Sequence, residues 1–531
     1  MKRFALLVFV CLVAWSTRAD AATGRDLATV HEAFVAVAEL RLETAAELAR
    51  GLSARLPDDP HVRFLLGSLE FHRGRYPEAV RSLEIATRSL RGHDLEQAGE
   101  LLAIARSTAE ATRGFVEARS SDGRYVVRFR EGPDRILLPY AMDAMRREDE
   151  ALQRILGVRV PGPIRLEIFA DSRSLAQVST LGVEAIERTG TIALCKWDKL
   201  MLTSPRALAR GYPWTDTIAH ELVHLVLARA SRDHAPVWMQ EGFAKYLETA
   251  YRGGAPTLEL EPAAAALFDR RLREGNLLPF DAFHPSIALL PSQEDAALAF
   301  AEVSTLLAAF HRRFGDAGLR AVVTAVSAGT DARKAFADAV RMPFPRFEES
   351  VWAEARARPP VRRDSPARLP MRFVHGAAVD DAADVGVAEA ARRLRLGDML
   401  WSRGRPRAAS VEYARASALA PRDPIVASRL GRSALEAGKA DDAAAAARRI
   451  LRDHPTHAPA HALLASALAL AGDAPGAYRA AVEAIRQNPY DPAPHCVVAE
   501  ASTSDDERER EAGACRTLGG AQSPSRGAAA R

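Results

Sequence analysis

The chain has 531 residues, 48% of them apolar, which is enough for buried cores in three or four domains. Its 72 basic and 68 acidic residues leave a net charge of +4. The arginines are interspersed with Asp and Glu, so no basic face offers itself to a nucleic acid, and 6% aromatic content favours Ala-rich helical packing over sandwiches or barrels.

The N-terminus reads as a cleaved leader over residues 1–21: Met1-Lys2-Arg3 is basic, residues 4–15 are apolar, and Ala19-Asp20-Ala21 has the small-x-small form of a cleavage site. Twelve apolar residues fall short of the roughly 20 that span a bilayer. No later stretch is apolar enough to cross a membrane, so the expected product is exported, periplasmic or secreted. Removing the leader leaves Cys195, Cys496 and Cys515, an odd number. The last two can form a disulfide in an oxidising compartment, and none has the paired spacing of a zinc site.

Helical repeats come next in the chain, at residues 22–115. Gly67, Gly74, Tyr76, Ala79, Leu83 and Ala86 fall in a spacing that recurs in the C-terminal third, and a helix over 94–113 caps this short stack. In that C-terminal third, at 385–502, Pro421, Pro455 and Pro489 are 34 residues apart. Gly404, Gly438 and Gly472 keep the same step, as do Ala409, Ala443 and Ala477. A 34-residue step with small residues at the crossing of two helices resembles the tetratricopeptide repeat, which implies α-helical solenoids and protein partners. Residues 358–384 have linker composition, with Arg content that reflects solvation, and 503–531 read as a disordered tail.

Between them, residues 120–357 lose the repeat signature. Residues 125–129, 164–169 and 199–203 alternate as strands, with an amphipathic helix at 139–156 between the first two. Helices over 217–230 and 237–251 follow, and the segment reads as α+β.

The chemistry is concentrated in His220-Glu221-Leu222-Val223-His224. Residues four apart on a helix lie one above the other, so both imidazoles can bind one ion, with Glu221 close enough to take a proton from its water. Zinc needs a third protein ligand and keeps a fourth position for water. Downstream stands Trp238-Met239-Gln240-Glu241-Gly242-Phe243-Ala244. HExxH followed by W-x-x-E-G-x-A resembles the gluzincin, or peptidase MA-like, zinc metallopeptidases. The resemblance covers about 120–355 and is motif-rich only over 189–250. It implies a zincin-like domain holding one Zn2+ per chain through His220, His224 and Glu241, with Glu221 as general base and a peptide or protein as substrate. It also implies that 199–203 is the edge strand along which substrate pairs.

Other positions are less specific. Asp216 and Glu248 are the candidates to orient a metal-bound histidine. Tyr246, Tyr251, His284 and His311 are candidates for an oxyanion-stabilising role that no motif assigns, and Phe300 lies where relatives of this type carry Tyr. His234 reads as solvated, and His454, His457 and His461 as contacts between repeats. The competing reading is an inert scaffold whose repeats bind an envelope protein and whose peptidase-like domain is structural.

Overall fold

The computed structural model describes residues 24–361, 369–374 and 380–520. The expected leader, much of the linker and residues 521–531 lie outside them. The described residues are mostly helical and divide into two compact units, one built on 24–203, 217–258 and 271–359, the other on 204–216, 259–270 and the described residues from 360 on.

The first unit opens with five helices, Gly24–Ala38, Leu42–Arg55, Pro60–His72, Tyr76–Ser89 and Gly92–Ala111, each packed on the next. Asp59 caps the third by accepting hydrogen bonds from His61 N and Val62 N, and Pro60 fits its first turn because that position needs no N–H donor. Gly67 permits the crossing with the next helix, since a Cβ there would lie 2.6 Å from Leu83 Cγ.

A five-stranded sheet follows: β1 Phe115–Arg119, β2 Tyr125–Arg130, β3 Ile164–Phe169, β4 Ala193–Lys196 and β5 Lys199–Thr203, in the order β1-β2-β3-β5-β4. The β2–β3 and β3–β5 pairs are parallel, and the outer pairs are antiparallel. Two expectations change here. The sheet starts at Phe115, the last residue assigned to the repeats, with a strand that the sequence reading lacked because β1 is short and has no buried residue. The edge strand is β4, because β5 lies between β3 and β4 with all five residues buried. Helix Leu138–Leu156 makes the crossover that a parallel β2–β3 pair requires.

Helices Trp214–Ser231 and Val237–Leu247 carry the motif residues; they are called below the metal helix and the ligand helix. The long helix Gln293–Ser327 is interrupted at Gly315. Helices Ala332–Val340 and Phe344–Ala357 follow it.

In the second unit, eight helices between Ala388 and Thr517 stack in pairs, from Ala388–Ser402 with Pro406–Leu419 to Pro492–Ala501 with Asp505–Thr517. The 34-residue step repeats the same devices. Asp423 caps Pro424–Glu436 as Asp59 does earlier, and a Cβ on Gly431 would meet Leu463 Cδ2 at 2.5 Å.

The tail departs from expectation. Asp505–Thr517 is a helix, capped by Ser504, with three acidic residues in its first turn and the Cys496–Cys515 disulfide fastening it to the preceding helix. The linker is also more than solvated chain. Ala209 N donates to Arg372 O at 2.9 Å and Val374 N to Ala207 O at 2.7 Å, while Asp384 pairs with Arg372 and with Arg210, the latter at 2.8 Å. Among the described residues no helix is long and apolar enough to cross a membrane.

Candidate metal centre

The metal helix is anchored on its apolar side by Leu222, Val223, Leu225 and Val226, all buried, which leaves His220 and His224 together on the opposite side. After Ser231 the chain reverses through Arg232 and Asp233, both at positive φ, and Asp233 N donates to Ala228 O at 2.7 Å. The ligand helix then starts at Val237, with Pro236 as its N-cap. Trp238 fixes it, stacked 5.4 Å from the Phe280 ring and tilted against Phe336 and Phe344 at 5.6 Å. Gly242 lets this helix approach Gln293–Ser327 closely, since a Cβ would lie 3.2 Å from Val303 O. Glu241 is thereby aimed at the two imidazoles.

The three side chains converge. His220 Nε2 and His224 Nε2 are 3.2 Å apart, and Glu241 Oε2 lies 3.5 Å from the first and 3.4 Å from the second. Bonds of about 2.0–2.1 Å to one tetrahedral ion would separate ligand atoms by about 3.3–3.4 Å. The triangle therefore fits a zinc-sized ion. Among the described residues this is the one group of three His, Cys, Asp or Glu side chains that converges in this way.

The surrounding charges also call for a cation. Glu221, Glu241 and Glu248 crowd two imidazoles in a buried setting. Without an ion, burial works against a charge on His220, yet Glu241 and Glu248 prevail and push its pKa up to about 10. Burial raises Glu241, but His224 and His220 outweigh it and hold the carboxyl at about 2. Burial pushes Glu221 above the ordinary glutamate range, with His224 and His220 opposing. The far ring nitrogens are also held. His220 Nδ1 is 3.0 Å from Glu248 Oε2, while Lys245 Nζ meets the other Glu248 oxygen at 2.5 Å, and His224 Nδ1 is 3.4 Å from Gln240 Oε1.

Of the two orienting candidates, Glu248 takes His220; Asp216 is buried one turn upstream in the metal helix. Gln240 and Lys245 were not singled out by sequence, although Gln240 directly precedes the third ligand. The Phe300 ring edge packs 5.9 Å from the His220 ring. Tyr246 and His311 hydrogen-bond to each other at 2.9 Å, and His311 Nε2 meets Asp316 at 2.7 Å. His311 lies eleven residues beyond Phe300 on one helix, about 16 Å along the axis, so this chain stands away from the triangle. Tyr251 donates its N–H to Glu148 at 2.8 Å, and His284 is exposed. Neither belongs to the converging group. His234 is exposed, with Nδ1 3.3 Å from Val326 O. Among the three repeat histidines, His457 caps Ala458–Ala471.

The tetratricopeptide repeat family matches residues 33–94 and 428–492, so the chain carries such repeats in both of its repeat blocks. No curated protein matches it. Among solved structures, a thermophilic TPR protein of Thermus thermophilus is 22% identical over 24% of this chain and 72% of its own, with a TM-score of 0.22. The APC/C hetero-tetramer Cut9–Hcn1 is 10% identical over 94% of this chain and 81% of that one (TM-score 0.25). Native yeast LTA4 hydrolase is 11% identical over 76% and 67% (TM-score 0.27). With TM-scores this low, none of the three bears on the metal centre.

Proposed function

We propose that this chain is an exported tetratricopeptide-repeat protein that engages protein partners and carries, between its repeat blocks, a zinc-dependent peptidase centre. The observation that supports the peptidase reading is the triangle of His220 Nε2, His224 Nε2 and Glu241 Oε2, with edges of 3.2–3.5 Å and Glu221 buried beside it.

A zinc ion held there would lower the pKa of a coordinated water to roughly 7 and polarise a carbonyl. Glu221 would accept the proton of the attacking water, a task helped by burial, which raises its pKa, and would deliver it to the leaving amine. Glu248 and Gln240 fix the far nitrogens so that each Nε2 presents a lone pair. The edge strand β4 offers unpaired backbone for an extended peptide.

The second reading, favoured by the repeat matches at 33–94 and 428–492, is a binding scaffold whose central domain performs no catalysis. Metal analysis and cleavage of a peptide library by the full chain separate the two. One zinc per chain, lost in His220→Ala, with phenanthroline-sensitive cleavage that Glu221→Gln abolishes while retaining zinc, supports the peptidase. A metal-free, inactive chain that still captures protein partners leaves the scaffold.

A further inference from the structure

At the end of the sheet away from β4, the face toward the N-terminal helices is built of charge. Glu117 on β1 stands in register with Arg128 on β2, which is in register with Glu167 on β3; the next row is Arg119, Val126 and Arg165. The turn between Pro60–His72 and Tyr76–Ser89 lies over these rows. Gly74 O accepts from Arg128 at 3.1 Å, Tyr76 OH donates to Glu167 at 2.6 Å, and Lys199 Nζ donates to Phe71 O at 2.8 Å. Between turn and sheet is a cleft of about 600 Å³. Arg73, Arg75, Arg119, Arg128 and Arg165 line it, against two carboxylates, Glu43 and Glu117.

The acids present do not neutralise these cations. Arg128 is engaged by Glu167 at 2.7 Å and Arg75 by Glu70. Arg119 meets Glu117 at 2.5 Å and Arg73 stands 3.7 Å from Glu43, through side chains open enough to solvent that such pairs hold weakly. Arg165 reaches a backbone carbonyl, Pro163 O at 3.3 Å, and among the described residues no carboxylate lies within ion-pair distance of it.

The local potential is accordingly positive. Burial lowers the Arg165 pKa, and the Arg229 charge adds to this against Asp198. Burial draws Lys199 down to about 8, with Arg165 and Arg128 opposing the help of Glu167. His72, buried beside Lys199, falls to about 4. Several guanidinium forks lining one open cleft suit a ligand with more than one negative charge and tetrahedral oxyanion geometry. The volume is that of a small-molecule site.

We propose that this cleft binds a small, multiply charged phosphate- or pyrophosphate-bearing molecule, held by Arg165 with Arg73 and Arg119. The site is separate from the proposed metal centre, and its test removes that centre from the reading. The full chain carrying His220→Ala is titrated calorimetrically with sodium pyrophosphate in the presence of a chelator. The expected result is saturable uptake of one pyrophosphate per chain. Arg165→Met is expected to weaken it by about tenfold to hundredfold, the value of one or two charge-assisted hydrogen bonds. Arg119→Met, at the more exposed of the side chains, and Arg73→Met carry the same test should Arg165→Met fail to fold, each with a smaller loss. Arg165→Lys keeps the charge without the fork and is expected to restore affinity only in part. Absence of saturable binding, or arginine variants that bind like their parent, would overturn the assignment. So would a phosphorylated peptide that binds where pyrophosphate does not.

Discussion

Glu248 Oε2 lies 3.0 Å from Nδ1 of His220, on the side of the ring turned away from Glu241. A carboxylate at the end of the ligand helix therefore fixes the tautomer of a histidine on the metal helix, and Lys245 steadies it at 2.5 Å. Glu248→Ala is expected to lower metal affinity by about 10–100-fold while leaving the three ligands in place. Competition with a chelator of known affinity measures this. An unchanged affinity would remove Glu248 from the centre.

Metal uptake should be coupled to protons. In the metal-free chain the His220 pKa is raised to about 10, so the stabilising charge is fully present below the ordinary histidine value of 6.5 and is lost as pH rises through 10. Glu241, held at about 2, contributes above 4.5 and loses its contribution as pH falls towards 2. At neutral pH an incoming ion must displace the His220 proton. About one proton should leave per ion bound, and affinity should rise with pH. Calorimetry in buffers of different ionisation heat counts that proton. Uptake without release contradicts the assignment of His220.

Glu302 provides a pH response independent of the ligands. It is buried, one oxygen accepts from Leu278 N at 2.9 Å and the other has no hydrogen-bond partner among the described residues. Burial raises its pKa to about 8, against the pull of the Leu278 N–H and Arg271. The folded chain therefore retains a proton that the unfolded chain releases above 4.5, and stability falls as pH rises from 4.5 to 8. Glu302→Gln keeps the Leu278 bond and removes the ionisation. It should gain about 1–3 kcal/mol at pH 8 and little at pH 4.5. Denaturant melts at both values test this; equal effects would refute it.

Gly211 is a steric test of the second unit. Its φ is +68° and a Cβ would lie 2.2 Å from Gln487 O, a backbone atom that cannot swing aside. Gly211→Ala should cost about 2 kcal/mol or more through combined strain and overlap. Thermal unfolding of the full chain measures the loss, and an unshifted midpoint would contradict the close approach.

What sequence made legible was whatever depends on periodicity or on fixed spacing. The 34-residue step is visible because each helix pair needs small residues at its crossing, and Gly67 and Gly431 sit at such crossings. The grouping of His220, His224 and Glu241 follows from a helical turn and a short reversal, both local. Edge strands were harder to read. β1 is short and carries charge, β4 has only four residues, and β5 alternates in sequence although all of it is buried. Gln240 and Lys245 were missed because their roles depend on which way a neighbouring helix faces. The helix Asp505–Thr517 was hidden by its charge, since a cap and a disulfide stabilise it more than an apolar stripe does.

The backbone of residues 204–216 is sewn into the C-terminal stack before it becomes the metal helix. Tyr212 N donates to Gln487 O at 2.9 Å, Trp214 N to Arg486 O at 3.1 Å and the Trp214 indole to Ile485 O at 3.0 Å. A truncation ending near residue 357 thus removes every one of these acceptors and uncovers a large indole just ahead of the first histidine. The boundary that composition suggests is a poor place to cut, and fragments intended for metal assays should extend through the final disulfide.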